Sequence, residues 1–167
     1  WWLNSGAFFF SLLGRGKTIT GSLPIDSPWR ILYAKNNPVD TDNGYHPQNI
    51  FRLVTTSNWQ NLNEQVYFKI IRDNFSSSPN RNASNGLLLF SRYQDGNNLY
   101  YAGVRVDGNA VIKKKYKGVY TTLAQKKIYS GTYDPANYPS LLPKNTWIGL
   151  KMEVSTLASG KVEIKLY

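Results

Sequence analysis

Few residues in this chain are of a kind that can move protons, and their types narrow the chemistry open to it. Hydrolysis of a glycosidic bond works through two carboxyl groups about 5–10 Å apart. The chain has ten acidic residues, and only Glu153 and Glu163 fall on neighbouring strand-like segments. Both alternate with core-type residues and are expected to face solvent. A β-elimination at a uronate asks for other equipment: a cation or amide against the substrate carboxylate, a base for the C5 proton and a donor for the leaving oxygen. Tyr45-His46-Pro47-Gln48 followed by Arg52 supplies such groups, together with Arg92, Tyr93, Tyr101 and Arg105. A lyase built here would use His46, Gln48, Arg52, Tyr101 and Arg105. The bland reading is that His46 caps a loop and the tyrosines fill sheet surface.

Holding a sugar without cutting it demands less. Aromatic rings stack on the apolar faces of sugars, and amide or charged side chains around them bond the hydroxyls. Trp59, Arg92, Tyr93, Tyr101 and Arg105 are the candidates. Strand alternation places Tyr101 and Arg105 on one face of a single segment, as a binding groove would require. Asp40-Thr41-Asp42-Asn43-Gly44 spaces oxygen ligands two apart in a glycine-containing loop, as calcium loops do, although the downstream bidentate Glu is missing. Lys113-Lys114-Lys115, Lys117 and Lys126-Lys127 are the basic clusters. Consecutive strand residues point to opposite faces, so only Lys113 and Lys115 share one, and nucleic-acid binding would rest on net charge alone. Lysines on exposed strands also block edge-to-edge aggregation.

The elements that must position these residues read as strands. Segments of extended character recur between turn signals: Gly6–Leu13, Lys17–Ser22, Trp29–Lys35, Asn49–Thr56, Gln65–Arg72, Gly86–Tyr93, Leu99–Val106, Ala110–Tyr116, Tyr120–Ala124, Trp147–Val154 and Lys161–Tyr167. Period-two patterns such as Leu150, Met152, Val154 and Val162, Ile164, Leu166 mark antiparallel strands with one wet face. Asp95-Gly96 and Asp107-Gly108 suit hairpin turns needing positive φ. Asn36–Gln48, Asn74–Asn85 and the proline-containing Tyr129–Thr146 read as loops, which in compact domains tend to carry function. The 167 residues include no Cys, which excludes a disulfide scaffold, a thiolate zinc site and a cysteine nucleophile. A formal charge of +10 favours anionic partners. No apolar run approaches a membrane span. With Trp1-Trp2 at its start, the chain reads as a piece of a longer protein.

The run Leu87–Tyr93, then Asn98–Arg105, Ala110–Lys115, Gly118 and Leu123-Ala124, resembles the central strands of concanavalin A-like domains, the laminin-G-like members in particular. Trp147-Ile148-Gly149-Leu150-Lys151 is similar to the strand that usually follows. The resemblance covers about Leu87 to Tyr167. It implies a jelly roll of two curved antiparallel sheets whose concave face often holds saccharide, and in many members a structural calcium ion. Glu-x-Asp-x-x-Glu, the hydrolase signature of that superfamily, is absent, as are the lyase signatures Arg-x-Glu-x-Arg and Gln-Ile-His. The strand that normally closes such a domain after the one resembling Lys161–Tyr167 is not in the sequence, so truncation or a partner segment is expected.

The expectation is therefore an all-β, two-sheet antiparallel jelly-roll sandwich spanning residues 1–167 as one domain. It would act at the cell surface or outside the cell as a lectin-like module for a polysaccharide, an anionic one given the charge. Trp59, Arg92, Tyr93, Tyr101 and Arg105 would hold the ligand. No cofactor is required; Asp40 and Asp42 are the candidate ligands should a structural calcium bind, with a plain polar turn the favoured reading of that segment. The alternatives are a polysaccharide lyase and a non-catalytic adhesion module. Nucleic acid is not an expected partner.

Overall fold

A computed structural model of the chain describes residues 2–3, 8–19, 22–36, 52–75, 78 and 80–167. They fall into two compact units, Trp1–Ser57 with Ile71–Arg81, and Asn58–Ile70 with Asn82–Tyr167. The first unit carries β1 (Trp2–Leu3), β2 (Phe10–Leu12), β3 (Arg15–Lys17), α1 (Pro28–Asn36) and β4 (Leu53–Val54). β1 pairs antiparallel with β4, and β2 with β3. Leu13 and Gly14 link β2 to β3 with φ of 52° and 71°, the double positive φ of a tight hairpin turn.

The expected strand Trp29–Lys35 is instead the helix α1. Ser27 precedes it, and its carbonyl accepts the Ile31 N–H at 3.0 Å. Pro28 takes the first helical position, where a missing N–H costs nothing and a fixed φ helps. The buried residues of α1, Arg30 and Tyr33, lie three apart, which is a helical spacing. Arg30 donates from Nη1 to the Leu23 carbonyl at 3.1 Å, and the Trp29 ring meets Phe8 edge-on at 5.6 Å. The expected strands Gly6–Leu13 and Asn49–Thr56 shorten, among the described residues, to β2 and β4, whereas Lys17–Ser22 is not the strand expected: β3 ends at Lys17, and Thr18, Ile19 and Ser22 are not strand.

The second unit holds β5 (Leu62–Lys69), β6 (Gly86–Asp95), β7 (Asn98–Arg105), β8 (Asn109–Tyr116), β9 (Val119–Lys127), β10 (Trp147–Thr156) and β11 (Val162–Leu166). β6-β7-β8-β9 form an antiparallel meander, and β11-β10-β5 a second antiparallel sheet. One core joins the two: Leu89, Ala102 and Val104 from the first sheet pack with Ile148, Leu150, Met152 and Val154 from β10. Each of the larger of these side chains, Ala102 excepted, contributes about 1.5–3 kcal/mol on full burial, so this core is the main force holding the layers face to face. A smaller cluster of Leu99, Tyr101 and Val111, with Leu88 against it, occupies the opposite face of the meander.

Asp95 and Asp107 close the hairpins they were expected to close, with the expected positive φ at Gly108 (80°) but not at Gly96. Asp95 accepts the Asn97 N–H at 2.6 Å and Asp107 the Asn109 N–H at 3.1 Å. Tyr129–Thr146 forms no ladder strand, as its prolines foretold. It is tied down by Leu141 N–H to the Val106 carbonyl and Asn145 N–H to the Ile70 carbonyl, both 2.7 Å, and Leu142 enters the core. Among the described residues no helix is long and apolar enough to cross a membrane.

Candidate functional site

His46, Gln48, Asp40 and Asp42 lie outside the described residues. Arg52 belongs to the first unit, and Tyr101 and Arg105 to the second. Trp59 stands just ahead of β5 and is 57% exposed; Tyr93 is also exposed. Arg92 sits in the irregular stretch of β6 between Ser91 and Asp95, with φ 46°. Its Nη2 donates to Thr156 Oγ1 at 2.6 Å and to Asn61 Oδ1 at 3.4 Å, so it links the two sheets.

Alternation along β7 does put Tyr101 and Arg105 on one face, yet neither is free. Tyr101 is 5% exposed, with Phe90 at 5.7 Å and Tyr120 edge-on at 6.0 Å between ring centroids. Burial, with a smaller effect from Tyr120, pushes its phenol above the ordinary tyrosine range, against a lesser downward pull from Arg105. A phenol so placed stays protonated at neutral pH and is a poor base for an elimination. Arg105 is held by Asp107 Oδ2 at 2.6 Å and donates from Nε to the Ala83 carbonyl at 3.1 Å. It braces the β7–β8 turn.

The exposed chemistry of the second unit lies one strand further on. The stretch Asn109–Lys127 carries six lysines and no carboxylate. Lys113 and Lys115 project to the Tyr101 face of β8, and the β8–β9 register sets Lys115 opposite Tyr120. Their ammonium groups stand 5.6 Å and 4.7 Å from the Tyr120 ring centroid, and Lys115 also donates to the Gly96 carbonyl at 2.8 Å. On the other face Lys114 lies 5.8 Å from the Tyr100 ring and 5.2 Å from Tyr116, with Lys117 5.3 Å from Tyr116. Tyr116 and Tyr120 are about half exposed.

The register that assembles this array depends on an irregularity in β9. Ile112 pairs with Ala124 and Lys113 with Thr122, which leaves Leu123 without a partner. That extra residue shifts β9 so that Tyr120 arrives between the two lysines. The pairing of Lys113 with Lys115 was legible from alternation. The tyrosine between them was not, because bulges leave no mark in a period-two pattern.

A cation over an exposed ring is worth about 0.5–1 kcal/mol, well below a charge-assisted bond to an anion. The rings therefore hold the ammonium groups in place without neutralising them, and an incoming sulfate or carboxylate can take them over. The other sheet is balanced differently: Lys151 meets Glu153 at 2.5 Å and Lys165 meets Glu163 at 3.1 Å. Among the described residues no three His, Cys, Asp or Glu side chains gather as a metal site would require.

No family model matches this chain, and neither a curated protein nor a solved structure is found similar to it.

Proposed function

We propose that this chain is a non-catalytic module that binds an anionic polysaccharide, built on a jelly-roll sandwich of the concanavalin A-like kind. One observation carries the reading: an acid-free hairpin, β8–β9, on which lysine ammonium groups are held by tyrosine rings instead of by carboxylates. Rings and ammonium groups side by side match a polymer whose sugar faces alternate with sulfates or carboxylates. Trp59 and Tyr93, both exposed on the same unit, offer further stacking surface. Arg92 and Arg105, engaged with the protein's own groups, position neighbouring strands. A polymer of this kind places the module at the cell surface or outside the cell.

The test is retention on immobilised heparin against immobilised amylose at low ionic strength. The protein is expected to be retained by heparin alone, and the double variant Lys113→Glu/Lys115→Glu to pass through. Release of unsaturated oligosaccharides from a uronate polymer would favour the lyase alternative instead. Passage of the unaltered protein through both columns would refute the binding reading.

A further inference from the structure

Beside the shared core the two sheets of the second unit do not close on one another. β9 is the last strand of the meander and β11 the last of the other sheet. Between these flanks lies a cleft of about 370 Å³ lined by Ile112, Ala124, Ile148, Leu150 and Leu166, with Lys126 also on its wall. Its size is within the range of about 300–1,000 Å³ typical of small-molecule sites. Its walls are mostly apolar, with Gln125 and the rings of Tyr129 and Tyr167 completing an otherwise aliphatic lining, so most hydroxyls of a sugar would go unbonded there. All nine residues of β9 are solvent-exposed, so the cleft is reached from outside along that strand.

One charged group marks the cleft. Lys126 pairs in register with Ala110, and Ala124 with Ile112, so Lys126 and Ala124 share the face that looks toward the other sheet. No carboxylate occurs anywhere between Asn109 and Lys127, and among the described residues no acidic group pairs with Lys126. Its methylene stem can lie along the apolar wall while the ammonium stays in water. A mostly apolar slot with a free cation at its rim is complementary to a molecule with an apolar tail and an anionic head.

We infer that the cleft between β9 and β11 binds a single-chain carboxylate amphiphile, a fatty-acid-like anion, with its tail among Ile112, Ile148, Leu150 and Leu166 and its head at Lys126. The site is separate from the Lys113–Tyr120–Lys115 array and does not depend on the polysaccharide reading.

The experiment titrates the intact protein with decanoate, decanol and decyltrimethylammonium, each below its micellar concentration, by calorimetry and by methyl NMR. Decanoate is expected to bind saturably and to shift the methyl signals of Ala124, Ile148 and Leu166. Lys126→Glu should weaken decanoate about tenfold or more, as expected for loss of a charge-assisted contact, and leave decanol unchanged. Ala124→Trp, which fills the slot, should abolish binding; the methyl shifts give the same answer should that variant fail to fold. The Lys113→Glu/Lys115→Glu variant should bind decanoate as the unaltered protein does. Absence of saturable decanoate binding, shifts that bypass those methyls, or equal affinity for the ammonium amphiphile would each overturn the inference. Strong hydrogen-exchange protection of the outer-edge amides of β9 in ligand-free protein would also overturn it, since a strand would then already cover that edge.

Discussion

Along β5 the half-buried residues are Leu62, Glu64, Val66 and Phe68, alternating with exposed Asn63, Gln65, Tyr67 and Lys69. Glu64 thus stands on the core side, in register with Met152, which is fully buried. Burial raises its pKa above the ordinary carboxylate value. A carboxyl that is harder to ionise folded than unfolded lowers stability once the pH exceeds the ordinary carboxylate range, and lowers nothing below it. Glu64→Gln is therefore expected to raise the melting temperature at neutral pH, with the gain shrinking to nothing as the solution becomes acid. A gain of the same size at every pH would show that ionisation is not its cause. Arg105 invites the opposite experiment. Its partner Asp107 is largely buried, 13% exposed like Arg105 itself, so Arg105→Ala strips a buried carboxylate of its cation and should cost about 1–3 kcal/mol in urea unfolding. Heparin retention should survive at low temperature, where the variant remains folded. Loss of retention with unchanged stability would restore Arg105 to the ligand-contacting role that its position on β7 suggested.

At the scale of elements, the meander depends on how closely its first two strands approach. A Cβ at Gly103 would run into the Leu87 carbonyl oxygen and come to 2.9 Å from Leu88 Cα, and the residue's φ of 156° is one that L side chains seldom adopt. No flexible side chain is there to yield. Gly103→Ala should therefore destabilise the protein by about 3 kcal/mol, near the upper end for overpacking, whereas Gly96→Ala, with open space around it, should change stability far less; thermal unfolding of the two separates them. Elements of this kind differ in how plainly the sequence announces them. Period-two segments of eight or more residues with one wet face, such as Trp147–Thr156, declare themselves. So does the loop Tyr129–Thr146, through its prolines. The helix α1 hides behind the apolar run Trp29, Ile31, Leu32, Tyr33, which fits either period; its real signal is the Ser27-Pro28 start. Faces are legible too, and Tyr101 with Arg105 or Lys113 with Lys115 follow from alternation alone. Occupancy of a face is not, because it depends on strands distant in sequence: Leu88 and Val111 crowd Tyr101, and the unpaired Leu123 delivers Tyr120.

For the molecule as a whole, charge and core are distributed in ways that can be tested together. Between Gly86 and Lys127 there are eight basic residues and two acidic ones. Both acids are engaged locally, Asp107 with Arg105 and Asp95 with Asn98. The Asn98 side chain is the largest influence holding the Asp95 carboxyl below its usual range. The basic excess of the chain is thus concentrated on the meander, while the β5–β10–β11 sheet pairs Lys151 and Lys165 with glutamates and sets Lys69 over the Trp147 ring. Attraction to a polyanion from such a surface is screened over about 10 Å at 0.1 M salt, so retention on heparin should fall steeply as salt rises. A residue of affinity that survives at high salt would measure stacking on the tyrosines. The same unit holds every member of both core clusters, all drawn from Asn58–Ile70 and Asn82–Tyr167. A fragment of residues 58–167 contains that entire core together with the lysine–tyrosine hairpin. It should unfold cooperatively in urea and elute from heparin at the same salt concentration as the full chain. A fragment that folds but elutes much earlier would move the binding surface onto residues before Asn58. One that does not fold at all would mean that the aliphatic contacts within the second unit are too few to sustain it alone.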